Sequence, residues 1–186
     1  MILAGGEGRR WGGPKAWAKL PDGRTFLQAC TECLVEGGCV HVVATLPPGS
    51  VDPGIEGLEV VALPEPGLDM FASFVIGLHL LVRIEGWQRL VVLPVDHPLV
   101  LAATVRGLAE AEGSAVIPSY RGKHGHPICL GRSTVEAVVR RELAGPTIRD
   151  VLREVGSTDL VVEDPGVIAN CNTPAALAEA WRNTRV

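Results

Sequence analysis

The chain has 186 residues, 47% hydrophobic and 20% charged, with a formal net charge of −4. That composition excludes a disordered chain and a broad basic surface for nucleic acid, and no apolar run approaches the roughly 18–20 residues that span a bilayer. The length suits one α/β domain over residues 1–186, and the start Met1-Ile-Leu-Ala-Gly-Gly leaves no room for a secretory signal, so a cytoplasmic protein is expected.

In chain order, the apolar stretch Met1–Ala4 predicts a first strand. A loop over Gly5–Lys15 follows, then a helix over Thr25–Glu36. Strands are expected at Cys39–Thr45 and Leu58–Leu63, a helix over Met70–Glu85, and a strand at Leu90–Val95. Beyond it come a helix over Ala102–Glu112, strands at Ala115–Ser119 and Pro127–Leu130, and helices over Thr134–Leu143 and Thr147–Glu154. A strand at Asp159–Val162 and a helix over Pro174–Arg182 complete the chain. Several strands lack polar alternation, as strands buried on both faces do, so a three-layer α/β/α fold around a mostly parallel, Rossmann-like sheet is expected. The five cysteines read as free thiols; Cys30, Cys33, Cys39 and His41 are a weaker zinc alternative, split between a helix and a strand.

In such a sheet ligands gather beyond the carboxyl ends of the strands. Three segments there are unusual: Gly5–Lys15, Val95-Asp96-His97-Pro98, and Asn170-Cys171-Asn172-Thr173-Pro174. The first carries Gly5, Gly6, Gly8, Gly12 and Gly13 with Arg9, Arg10 and Lys15. Glycines let backbone N–H groups close around phosphate oxygens while the cations neutralise them; a flexible surface turn is the plainer alternative. Ala16 after Lys15 excludes a Walker loop, and Trp11 excludes the dinucleotide fingerprint. Asp96, at the end of a buried strand, suits a magnesium ion, which prefers carboxylate and phosphate oxygens; its alternative is a turn residue before proline. His97, His124 and His126 lie where a base would be sought, but packing accounts for such histidines as readily, and none is assigned catalysis.

The pattern Leu3-Ala4-Gly5-Gly6-x-Gly8-x-Arg10-x-Gly12-x-Pro14-Lys15 resembles the signature loop of the MobA-like nucleotidyltransferases, relatives of the sugar-phosphate nucleotidyltransferases. The resemblance implies the nucleotide-diphospho-sugar transferase type of fold. It places Leu3, Ala4, Gly5, Gly6, Gly8, Arg10 and Lys15 on the nucleotide, with Arg10, Lys15 and Asp96 catalytic and Asp96 holding Mg2+. The stretch Gly67–Gly77, with Ser73 inside it, resembles the family segment that approaches the base, so Gly67 and Ser73 join the nucleotide site. Gly125-His126-Pro127 resembles the Gly-His-Pro of the cytidylyltransferase branch, whereas Ala4-Gly5-Gly6 resembles the guanylyl branch, leaving GTP and CTP both open. Asn170–Pro174 resembles a late Asn/Asp-x-Asn/Asp-Thr-Pro element, which makes Asn170 or Asn172 a further metal ligand. The chain departs from the family pattern in two ways: Met1 stands only three residues before Ala4, and the late element carries amides in place of aspartates. The reaction implied is transfer of a nucleoside monophosphate to a phosphorylated small molecule, by resemblance molybdopterin, with release of pyrophosphate. A molybdoenzyme or cofactor-maturation protein is the implied partner. A sugar phosphate or cobinamide phosphate is the alternative acceptor, and a non-catalytic nucleotide-binding accessory protein the alternative role.

Overall fold

The computed structural model describes residues 1–143 and 145–184. Among them, eight strands form one sheet: β1 (Ile2–Leu3), β2 (Val42–Leu46), β3 (Leu58–Ala62), β4 (Arg89–Pro94), β5 (Ala115–Tyr120), β6 (Lys123–His124), β7 (Ile128–Gly131) and β8 (Thr158–Val161). The order is β3-β2-β1-β4-β7-β5-β6, with β8 also paired to β5. β1, β2, β3 and β4 run parallel, as do β5 and β8, while β7 is antiparallel to both β4 and β5, and β6 to β5. The expected mostly parallel sheet is present, with two antiparallel strands that hydrophobic pattern does not distinguish.

Among the described residues six α-helices cover it: α1 (Phe26–Glu36), α2 (Met70–Leu81), α3 (Ala102–Glu110), α4 (Arg132–Val139), α5 (Ile148–Val155) and α6 (Pro174–Asn183). Successive strand residues point to opposite faces, and this sorts the interior into two cores. Ile2, Val42, Ala44, Val91 and Leu93 meet Phe26, Leu27 and Leu34 of α1, Val105 and Leu108 of α3, and Leu177 of α6. Leu3, Val43, Leu90 and Val92 meet Phe74 and Leu78 of α2, Val135 and Val138 of α4, and Val151 of α5. Three layers result. Phe26 and Phe74 are fully buried, one in each core, and truncating either to alanine would cost about 3–5 kcal/mol.

Helix ends follow local chemistry. Thr25 and Thr147 stand outside their helices as caps, each one residue before the first helical turn. Thr25 also forms a reciprocal box with Gln28. α2 stops at Leu81, short of the expected Glu85, and the Trp87 indole N–H takes the Leu81 carbonyl at 3.1 Å. α4 begins at Arg132, directly after β7, and ends before Arg141, whose φ of 57° no helix continues. No helix among the described residues is long and apolar enough to cross a membrane.

For the site, the decisive feature is the strand order. From β1 the chain moves to β2 and β3 on one side, then returns to place β4 on the other. Ligands bind at such a reversal, beyond the carboxyl ends. Leu3 pairs with Pro94, so the loops after β1 and β4 leave the sheet side by side.

Candidate active site

The glycine loop is shaped by its own backbone. Gly8 has φ 62°, and a Cβ there would meet the Gly13 carbonyl oxygen at 1.9 Å, so only glycine fits. Trp11 N–H donates to the Gly8 carbonyl at 2.8 Å, closing a short 3₁₀ turn over Arg9–Trp11. A second such turn, Lys15–Trp17, is pinned by fully buried Ala16. Beside them a cleft of about 450 Å³ opens, lined by Gly6, Glu7, Gly8, Arg9, Arg10, Lys15 and Gly67; Glu7 is paired with Arg9 at 2.9 Å. Four of the nucleotide-site residues expected from sequence besides Lys15 therefore border one cavity: Gly6, Gly8, Arg10 and Gly67. Leu3 and Ala4 are buried at its root, at the end of the first strand.

Lys15 joins this loop to the other two segments. Its Nζ donates to Asp96 Oδ2 at 2.8 Å and to Asn172 Oδ1. The Lys15 and Asp96 side chains are 20% and 15% exposed, so the pair is largely sheltered from water. Cys171 N–H donates to the Asp96 carbonyl at 2.7 Å, and the Trp11 indole donates to the Cys171 carbonyl at 3.0 Å. Trp11 also packs edge-on to Phe26, with centroids 5.3 Å apart. Loop, Asp96 turn and late element are thus tied into one unit. The cap of α6 is Thr173, which accepts from Ala176 N–H at 3.1 Å; this leaves the Asn172 amide to reach Lys15, whereas Asn170 is exposed.

The histidines divide. His124 pairs with Asp159 at 2.8 Å in the open, on the β5–β6 hairpin. His97 and His126 stack edge to face, 4.9 Å apart, and the Nδ1 of each is buried without a partner. Burial lowers His97 below the ordinary imidazole value and takes His126 down to about 4, with each neighbouring charge acting secondarily. Both are neutral near pH 7. Burial pushes the Cys171 thiol up to about 12 and Cys30 further above its usual range, so neither is a thiolate nucleophile. Among the described residues no group of three or more His, Cys, Asp or Glu side chains is placed to hold a metal.

Ser73 and Gly5 meet beneath the loop. The Ser73 hydroxyl is buried and donates to the Asp69 carbonyl at 2.9 Å. A Cβ on Gly5 would lie 3.4 Å from that hydroxyl and 2.2 Å from Leu63 Cδ1. Leu63, Trp11 and Asp164 are structural participants that sequence pattern does not single out. Asp164 is 2% exposed and accepts from Leu101 N–H (2.9 Å), Thr104 Oγ1 (2.7 Å) and Gly166 N–H (2.8 Å). It fastens the segment leading to Asn172 onto the start of α3. The only written trace of this is an Asp-Pro-Gly turn signal at 164–166.

Residues 1–159 match the model of the MobA-like NTP transferase domain. The late element at 170–174 lies beyond the matched residues. No curated protein matches the chain. Among solved structures, a nucleotidyl transferase from Methanothermobacter thermautotrophicus aligns with a TM-score of 0.75 at 20% identity, covering 98% of this chain and 96% of that one. The Mycobacterium tuberculosis protein Rv0371c, in a complex with manganese, gives 0.72 at 19% identity, over 97% and 96%. Molybdopterin-guanine dinucleotide biosynthesis protein A from Archaeoglobus fulgidus gives 0.64 at 19% identity, over 98% and 96%. These likenesses establish a shared fold, and the domain match establishes the family: this chain belongs to the MobA-like nucleotidyltransferases.

Proposed function

We propose that this protein transfers a nucleoside monophosphate from GTP or CTP to a phosphorylated acceptor, molybdopterin first among them, and releases pyrophosphate. The observation that carries the reading is that Lys15, which lines the glycine-loop cleft, also bonds Asp96 and Asn172. Backbone N–H groups of the glycine loop suit phosphate oxygens, and Arg10 and Lys15 in the same cleft offset their charge. An acceptor phosphate oxygen attacks the α-phosphorus, and the bond to the β-phosphate breaks with its electron pair leaving on pyrophosphate. Such an oxygen is already anionic near neutral pH and needs no strong base, consistent with the neutral state of His97 and His126.

The residues present fit a divalent ion: a carboxylate oxygen and an amide oxygen converge on one cationic centre, and hard oxygen donors are what Mg2+ prefers. When bound, the ion would supply charge neutralisation at the phosphates. Asp96 and Asn172 are the residues that would hold it, with Asn170 the less favoured amide. The manganese complex of Rv0371c supports a divalent ion in this fold. The name of the Archaeoglobus neighbour supports a molybdopterin acceptor and a guanine nucleotide. A cytoplasmic protein working beside molybdoenzymes or cofactor-maturation proteins, as one domain, completes the proposal. A pyrophosphate-release screen of the four nucleoside triphosphates against molybdopterin, sugar phosphates and cobinamide phosphate tests it. Release that requires molybdopterin and GTP or CTP is expected; release with a different acceptor alone moves the protein to another substrate, and none with any pair returns it to an accessory binding role.

A further inference from the structure

Lys15 has two demands on one ammonium. It lines the cleft beside Gly6, Gly8 and Arg10, where a triphosphate's charge would lie, yet its Nζ sits between Asp96 Oδ2 and Asn172 Oδ1. A magnesium ion bonds oxygen at about 2.0–2.1 Å, so an ion held by those same two oxygens would compete with the ammonium that now bridges them. Two cations cannot share that position in a sheltered site, where charges interact several-fold more strongly than in water. We infer that Lys15 acts as an internal cation that closes the Asp96–Asn172 site, and that a bound triphosphate opens the site by drawing the ammonium to the phosphates. Triphosphate and divalent ion are then coupled through Lys15: each favours the state in which Lys15 has left Asp96. The nucleotide-free protein holds a divalent ion weakly, which keeps an ion-loaded site from forming without substrate. This rests on the placement of the metal at Asp96 proposed above.

The test is Mn2+ binding to the nucleotide-free protein, read by electron paramagnetic resonance of the free ion, with no turnover involved. Lys15→Met and Lys15→Gln remove the charge and keep most of the length; each is expected to bind Mn2+ about tenfold or more tightly than the native protein. Lys15→Arg keeps the charge and is expected to stay weak. Asp96→Asn in the Lys15→Met background is expected to abolish the gain. A Lys15→Met protein, folded by circular dichroism, that binds Mn2+ no better than the native one overturns the inference, including the case in which neither binds. A gain that survives Asp96→Asn overturns the placement of the metal itself.

Discussion

Asp164 offers a quantitative test of how the site is held. Its carboxylate is buried and accepts three hydrogen bonds, two from backbone N–H groups of Leu101 and Gly166 and one from the Thr104 hydroxyl. In Asp164→Ala both N–H groups lose their partner, while the Thr104 hydroxyl is free to rotate. A buried donor left unsatisfied costs about 1–3 kcal/mol, more when its partner was charged, so a loss of about 3–5 kcal/mol is expected. For a chain of this length that is a fall in Tm of roughly 6–20 °C. Asp164→Asn keeps an oxygen for Leu101 and Thr104 but turns its amide N–H toward Gly166, so about 1–3 kcal/mol is expected. Urea denaturation followed by circular dichroism measures both. Stability within about 0.5 kcal/mol of native in the alanine variant, or an asparagine variant worse than the alanine one, would refute the hydrogen-bond account.

Four further outcomes are expected. Trp11→Phe keeps the packing on Phe26 but loses the bond to the Cys171 carbonyl, so stability falls by about 1 kcal/mol and triphosphate KM rises while the fold is retained, read by denaturation and steady-state kinetics. Gly5→Ala drives a methyl into Leu63 and costs about 1–3 kcal/mol; Leu63→Val in the same chain recovers part of it, and a double-mutant cycle showing no coupling would contradict the contact. Because that methyl displaces Leu63 beside Ser73, the ratio of kcat/KM for GTP to that for CTP should fall in Gly5→Ala. His126 is held down to about 4 against an ordinary 6.5, so its neutral form stabilises the fold above pH 6.5 and that contribution, about 3 kcal/mol, is lost as pH falls from 6.5 to 4. His97 acts in the same direction, and His126→Gln should flatten the stability profile in that window.

Much of the architecture was legible because burial on both faces writes itself as unbroken apolar strands, and because Thr25, Thr147 and Thr173-Pro174 announce helix starts. Strand direction was not: β7 reads like any buried strand, and its antiparallel course is set by the short β5–β6 hairpin. That hairpin turns through Arg121 and Gly122, both at positive φ, where Asn-Gly would be the usual signal. At the site, the glycine loop, Asp96 and the late element were each visible as residues after a strand. Their mutual contacts were not, since Lys15 and Asn172 are 157 positions apart and no local pattern encodes their meeting. Asp164 was hidden for a related reason: an aspartate before proline reads as an exposed turn, and its burial depends on donors from α3, some 60 residues earlier.

The central claim is that the bond between the α- and β-phosphates is broken and the α-phosphate is carried to an acceptor. Incubating the protein with molybdopterin, a divalent ion and GTP or CTP labelled separately at the α- and γ-phosphates tests this directly. The account predicts that α-label appears on the pterin product while γ-label appears only in pyrophosphate, and that Asp96→Asn and Lys15→Ala each suppress both. Release of γ-label as orthophosphate, or α-label that never leaves the free nucleotide pool with any phosphorylated acceptor, would contradict it.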